Sequence, residues 1–231
     1  MEFTLLANAA IAAFAGWAML WWEARRGNAD RCAGNLWEAG LIAAVVGIFG
    51  GRIVQMVVDG VLPWQHAGDV VLVRGGVSTV GASLLAVVTF LWIARREPVA
   101  MVDGISAAAL AALAGWHGAC GVRGACLGTP SDLPWALAQE GSTVTRHPVE
   151  LYAATVFALA AVGVAVWKAY GRPPAGVPAS LALAAAGGIR FVTETVRPSL
   201  GGGPVWFYAL GLVGGLAAVA AFAARARRPQ G

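Results

Sequence analysis

Residues 36–58 read LWEAGLIAAVVGIFGGRIVQMVV, a 23-residue run in which Glu38 and Arg52 are the only charged side chains. About 20 apolar residues in a helix cross the roughly 30 Å hydrocarbon core of a bilayer, so this run predicts a membrane-spanning helix. Six more stretches of similar character lie at approximately Phe3 to Trp22, Val70 to Ala94, Val99 to Cys120, Val149 to Trp167, Val177 to Val196 and Val205 to Ala224. Across all 231 residues, 58% are hydrophobic and 12% charged, against about 45–50% and about 25% in soluble domains. Mean hydropathy is +0.69. This balance excludes an ordinary soluble domain, a disordered chain, collagen, a coiled coil and a disulfide-stapled secreted module. The expected fold class is all-α: a polytopic membrane protein with about seven transmembrane helices, forming a single integral membrane domain over residues 1–231. The first stretch reads as a retained span rather than a secretory signal. Met1 and Glu2 supply no positive leader, and Arg25-Arg26 follow the apolar run instead of preceding it.

Orientation follows from the cations, because Lys- and Arg-rich loops stay cytoplasmic. Arg25, Arg26 and Arg31 follow the first stretch, Arg95 and Arg96 the third, Lys168 and Arg172 the fifth, and Arg225, Arg227 and Arg228 the seventh. These ten of the sixteen cations fall on one side, which predicts an N-terminus outside and a C-terminus in the cytoplasm. The net charge of +4 therefore reflects topology, and no concentrated basic face marks a nucleic-acid partner.

Arg52, Arg74, Arg123, Arg146, Arg190 and Arg197 sit where that rule would not put them. Arg52 lies roughly 9 Å below the outer end of its span at about 1.5 Å per residue, and Arg190 is about as deep in the sixth. A central Arg costs at least about 2.5 kcal/mol to insert, so it normally faces a polar interior and marks a ligand path. The alternatives are snorkelling to the headgroups or a structural ion pair. Glu194 stands one turn beyond Arg190 and Arg197 one turn further, on a shared helical face. Turned inward, Arg52 and Arg190 make a cationic pocket in the outer leaflet, where the commonest anions are phospholipid phosphates. The planar guanidinium fork suits phosphate and stays charged when desolvated. His117, near the outer end of the fourth span, enters at the same level, as does the Arg146-His147-Pro148 turn with Tyr152 one turn inside. Histidine adds a group that titrates near neutrality and serves as acid or base.

Five stretches then carry a resemblance: Gly50-Gly51-Arg52; Arg74-Gly75-Gly76-Val77-Ser78 with Gly81; Gly118-Ala119-Cys120 through Gly124-Ala125-Cys126-Leu127-Gly128-Thr129-Pro130; Arg146-His147-Pro148-Val149-Glu150-Leu151-Tyr152; and Arg190-Phe191 with Glu194 and Arg197. From about Arg25 to Ala224 the chain resembles the prolipoprotein diacylglyceryl transferase family, most specifically in Arg146-His147-Pro148-x-x-Leu151-Tyr152 and next around Arg190. The resemblance implies a seven-span enzyme of the bacterial inner membrane. Such an enzyme moves the diacylglyceryl group of phosphatidylglycerol onto the lipobox cysteine of a preprolipoprotein and releases glycerol phosphate. The implied partners are phosphatidylglycerol, the lipobox peptide and the lipid bilayer. No cofactor or metal is implied, and no metal-ligand spacing occurs in the sequence. On this reading Arg190 and His117 are the catalytic candidates, and Arg52, Arg74, Arg146, His147, Tyr152 and Glu194 bind substrate.

The chain also departs from the family pattern. Val80 stands where the family has His or another polar ring after the third-span Ser, which removes a candidate base. Trp116-His117 replaces Gly-Arg before the loop after the fourth span. Glu150 fills a position often held by Gln, Ala153 one often held by Glu, and the first span has Trp17, Trp21 and Trp22 in place of an expected Tyr. These departures define the alternative, a noncatalytic or repurposed phospholipid-binding membrane protein of the same fold. A solute transporter would show an internal repeat, and none is visible.

Smaller features complete the reading. Cys120 and Cys126 lie six residues apart on the oxidising side, a spacing that permits a disulfide; Cys32 is expected as a reduced cytoplasmic thiol. Trp21, Trp22, Trp64, Trp92, Trp135, Trp167 and Trp206 fall near span ends, as interfacial anchors do. Gly47-x-x-x-Gly51 and Gly211-x-x-x-Gly215 are expected to pack helices within one chain. Glycine turns around Gly75-Gly76 and Gly187-Gly188 would let helices or lipid approach closely. Glu38 and Asp103 are expected to complement their own helix N-termini, and His66 to be solvated. The long loop from about Val122 to Arg146 is expected to cover the outer mouth and admit peptide.

Overall fold

The computed structural model describes residues 3–26, 34–71, 76–122, 126–139, 141–197 and 203–228. The regular elements among the described residues are helices apart from one small strand pair. In chain order they form α1 (Phe3–Arg25), α2 (Leu36–Val58), α3 (Ala67–Val71), α4 (Thr79–Ile93), α5 (Pro98–Val122), β1 (Leu137–Ala138), β2 (Thr145–Arg146), α6 (Val149–Tyr170), α7 (Val177–Glu194) and α8 (Val205–Ala226). Capping residues set several of the starts. The Asn35 side chain accepts a hydrogen bond from the Glu38 amide at 3.1 Å, and the Ser78 hydroxyl accepts one from Gly81 at 3.2 Å. Gly176, at φ +86°, turns the chain into α7, whose first turn holds Pro178.

Among the described residues, α2, α5 over Pro98–Cys120, α6 and α8 are long and apolar enough to cross a membrane. The outer surfaces of α2, α6 and α8 support that reading, since Val58, Leu159 and Val213 are each more than 60% exposed, a dispersal of large apolar groups that water disfavours and lipid accepts. The third apolar stretch is shorter as a helix than expected. Ser78 starts α4 late, and its 15 residues span only about 22 Å. Arg74, Arg123 and Cys32 lie outside the described residues.

α5 occupies the centre, flanked by α1, α6 and α7, while α4 packs on α2 and α8 on α7. One core joins α5, α6 and α7 through Leu110, Ala111, Phe157, Ala161, Val164 and Ala182. A second joins α1, α2, α4 and α5 through Leu20, Ala39, Ala43, Phe90, Met101 and Ala108. Small residues let these backbones touch, and close packing is what joins helices when the surroundings are as apolar as the side chains. A Cβ at Gly47 would lie 2.8 Å from the Ala82 carbonyl oxygen, and one at Gly51 would lie 2.6 Å from the Ala82 Cβ. A Cβ at Gly215 would lie 2.7 Å from the Ala184 Cα. Both glycine motifs therefore pack helices within the chain. Gly187 and Gly188 lie inside α7 rather than in a turn, and Gly187 supplies the close approach to α8, its Cβ position 2.6 Å from the Tyr208 carbonyl. Replacing Gly215 by Leu is expected to cost about 1–3 kcal/mol through overpacking. Gly214, where a Cβ meets nothing within 4 Å, should accept Ala without loss. Thermal unfolding midpoints of the two purified variants in detergent check this pair.

At the end of the bundle where α5 begins and α6 finishes, Glu23 of α1 is fully buried and pairs with Lys168 of α6 at 2.7 Å. Lys168 also donates to the Gly104 carbonyl at 3.0 Å. Its expected place was a cytoplasmic loop, but the helix continues past Trp167 to Tyr170 and carries Lys168 inward. Asp103 differs from expectation as well. Its carboxylate accepts from the amides of Gly176 at 2.6 Å and Ala179 at 3.0 Å, so it caps the N-terminus of α7 rather than that of its own helix.

Candidate functional site

The opposite end of the bundle gathers a second set of buried charges around Glu150, in the first turn of α6. The helix N-terminus favours an anion there. One carboxylate oxygen, Oε2, bonds to Nδ1 of His117 on α5. The other, Oε1, lies 3.9 Å from Arg190 Nη1 and 3.7 Å from Arg197 Nη1. Glu194 completes the group, its Oε2 accepting from Arg190 Nη2 at 3.0 Å and lying 3.9 Å from Arg197 Nη1. His117, Glu150, Arg190 and Glu194 are all buried, whereas the Arg197 side chain is 41% exposed. The His117 ring stacks on Phe157 with centroids 5.3 Å apart and planes 7° from parallel, and the Arg190 guanidinium lies 5.3 Å over the Tyr208 ring of α8.

Buried charges persist only when paired, and here two guanidinium groups face two carboxylates. Arg190 Nη1 is buried and has no hydrogen-bond partner among the described residues, because 3.9 Å to Glu150 is beyond hydrogen-bond length. An unsatisfied guanidinium N–H inside a protein is a place where an anionic oxygen gains most.

The other sequence candidates take different positions. Arg52 is buried in the corner between α2, α3 and α4, donating to the carbonyls of Asp69 at 3.2 Å and Gly76 at 2.9 Å. Its hydrogen bonds run to α3 and to the segment before α4, whereas that of Arg190 runs to Glu194. Arg146 lies in β2, paired with Leu137 of β1 and bridged to Pro130, and its guanidinium donates to the Gly128 carbonyl at 3.2 Å. The same loop is pinned over the end of α7, with the Thr129 amide donating to the Val196 carbonyl at 2.9 Å. His147 meets the Tyr152 ring edge-on, and the Tyr152 hydroxyl accepts from Trp135 Nε1 at 2.7 Å. Trp135 is thus a loop tether in addition to any interfacial role. Cys120 and Cys126 are joined as a disulfide, with Cα atoms 6.2 Å apart, which ties the last turn of α5 to this loop three residues after His117. Among the described residues, no group of three or more His, Cys, Asp or Glu stands close enough to hold a metal ion.

Residues 5–226 match the sequence model of the family described as prolipoprotein diacylglyceryl transferase. The chain belongs to the prolipoprotein diacylglyceryl transferase family. It is 32% identical over 131 residues, 54% of its own length, to a phosphatidylglycerol–prolipoprotein diacylglyceryl transferase of Bordetella avium (strain 197N). Over 77 residues, 33% of its length, it is 36% identical to the protein of the same name from Methylococcus capsulatus. The chain spans about half the length of the Bordetella relative, 49%, and 29% of the Methylococcus one.

Within this diacylglyceryl transferase family member, sequence reasoning noted Glu150 as a departure without assigning it to the site, and Tyr208 and Phe157 were not singled out at all. Glu150 carried a usable signal: an ionisable residue in the first turn of an apolar span, two positions after Pro148, is a functional candidate by default. The aromatic residues carried none, because Phe and Tyr are unremarkable inside apolar spans and only helix packing sets which faces meet.

Proposed function

We propose that the chain transfers the diacylglyceryl group of phosphatidylglycerol to the cysteine thiol of a lipobox peptide, as the names of its relatives describe. The observation that supports this most is the buried Arg190, whose Nη1 has no hydrogen-bond partner among the described residues and which Glu150 links to His117. Transfer forms a sulfur–carbon bond to the glyceryl carbon and breaks the carbon–oxygen bond to phosphate. A cation aimed at the departing phosphate oxygen lowers that barrier. In this reading Arg190 holds the phosphate and His117 acts at the reacting groups. Glu194 orients Arg190, while Arg52, Arg74, Arg146, His147 and Tyr152 line the approaches for lipid and peptide. The loop that carries β1 and β2 covers the mouth and admits the peptide.

The proposed setting is the bacterial inner membrane, with seven spanning helices, α1, α2 and α4 through α8, in one integral domain. Arg25, Arg26, Arg95, Arg96, Arg225, Arg227 and Arg228 cluster at one set of helix ends, which supports a cytoplasmic C-terminus and an external N-terminus. A second reading, a phospholipid-binding protein without transfer activity, draws on the near-neutral balance of Arg190 and Arg197 against Glu150 and Glu194. Purified protein incubated with phosphatidylglycerol and a lipobox peptide separates the two. A diacylglyceryl mass gain on the peptide is the expected outcome, whereas lipid that co-purifies with no mass gain on the peptide overturns transfer in favour of binding.

A further inference from the structure

We infer that Glu150 is a positioning residue which makes His117 the base that takes the thiol proton. This deepens the transferase reading and rests on it. A carboxylate only accepts hydrogen bonds, so its contact with Nδ1 places the ring proton on that nitrogen and leaves Nε2 with a free lone pair. A carboxylate behind an imidazole also steadies the imidazolium that forms when Nε2 captures a proton, the logic of acid–base dyads in hydrolases. The stacked Phe157 ring fixes the plane of the imidazole. Glu150 is held in turn by Arg190 of α7 and by Arg197 just beyond its end, so one side chain couples the base to the phosphate-facing cation.

Alternative bases near this cluster are engaged elsewhere. Glu194 is bonded to Arg190, His147 packs on Tyr152, and Tyr208 lies beneath Arg190. Val80, in the first turn of α4, has no proton-accepting group. His117 Nε2 has no hydrogen bond among the described residues, and the His117 side chain keeps 10% of its surface exposed. The S–H bond breaks and its proton moves to Nε2, and the sulfur pair forms the S–C bond. The C–O pair leaves with glycerol phosphate, which Arg190 holds, and the phosphate of that product then takes the proton from Nε2.

The test uses full-length protein in detergent with phosphatidylglycerol and a lipobox peptide. Glu150→Gln is expected to lower kcat by about 10² or more, the contribution of a positioned acid–base group, with KM for lipid little changed. The same variant should shift the pH profile of kcat, because His117 then loses the Glu150 carboxylate and the charges left in the cluster are Arg190 and Glu194 of α7 and Arg197 beyond its end. His117→Ala is expected to lose transfer and to regain part of it with added imidazole, a rescue that a merely structural role would not show. Nitrogen-15 NMR of His117 should report the Nδ1–H tautomer in the parent protein and a mixture in Glu150→Gln. If Glu150→Gln does not fold, His117→Ala carries the kinetic test, since Glu150 there keeps both arginines. Parent protein that transfers lipid, together with variants that keep its kcat and pH profile, would overturn the dyad alone. An Nε2–H tautomer in the parent would do the same. Parent protein with no transfer at all would overturn the transferase reading, and the proposed base with it.

Discussion

Arg190→Ala is expected to reduce transfer by at least about 10³-fold, equivalent to about 4 kcal/mol of barrier at about 1.4 kcal/mol per tenfold. The guanidinium is buried and has one donor unused. It therefore has both the charge and the open valence that a departing phosphate needs, in surroundings where an ionic hydrogen bond is strongest. Arg190→Lys should recover little. A single ammonium cannot hold Glu194 and still present a second N–H in the same plane. Among the described residues, removing Arg190 also leaves Glu194 with the 3.9 Å contact to the half-exposed Arg197 as its one ion pair, so the single variant will lose stability as well. Arg190→Ala combined with Glu194→Gln separates these effects, since the uncompensated carboxylate is gone while the phosphate contact is still missing. The double variant is expected to purify with parent-like thermal stability and to transfer no diacylglyceryl group to the peptide, as read by mass spectrometry. Transfer within tenfold of the parent would remove Arg190 from the mechanism.

Lys168→Ala is expected to be the most destabilising single change at the other end of the bundle. It would leave the fully buried Glu23 carboxylate without its partner at 2.7 Å, and breaking such a pair from one side costs about 3–5 kcal/mol. The loss extends to the 3.0 Å bond that joins α6 to the Gly104 carbonyl of α5. Glu23→Leu with Lys168→Met should restore most of the stability, because apolar side chains of similar volume need no compensation in an apolar interior. Thermal midpoints of the detergent-solubilised proteins check the order parent, double variant, single variant. Transfer per folded molecule should be unchanged in the double variant, since neither residue belongs to the Glu150 cluster. A Lys168→Ala protein as stable as the parent would show that water or lipid headgroups reach Glu23.

The two ends of the bundle divide differently between what is legible in the sequence and what is not. Helix positions are legible because apolar runs of about 20 residues have one structural outcome in a bilayer; α2 begins and ends at Leu36 and Val58, the limits of the apolar run itself. The third stretch is the exception. The Ser78 side chain caps a helix there, a local hydrogen bond that hydropathy does not register. Arg190 and Glu194 are legible as partners because four residues bring side chains to one helical face, and the structure joins them at 3.0 Å. Glu150 and His117 are not, since 33 residues separate them and nothing in a one-dimensional pattern fixes the rotation of α6 against α5.

The sequence by itself therefore determined the helical class, the positions of the apolar elements and the family, because these depend on composition, local periodicity and motif. Only the tertiary structure decided which charges meet. It placed Arg52 on the carbonyls of Asp69 and Gly76, drew Lys168 inward to Glu23, turned Asp103 onto the N-terminus of α7, and made Glu150 the link between His117 and two arginines. The physical reason is the same in each case. A buried charge must find a partner, and which partner is within reach is set by how small residues such as Gly51, Gly187 and Gly215 let neighbouring helices approach and turn.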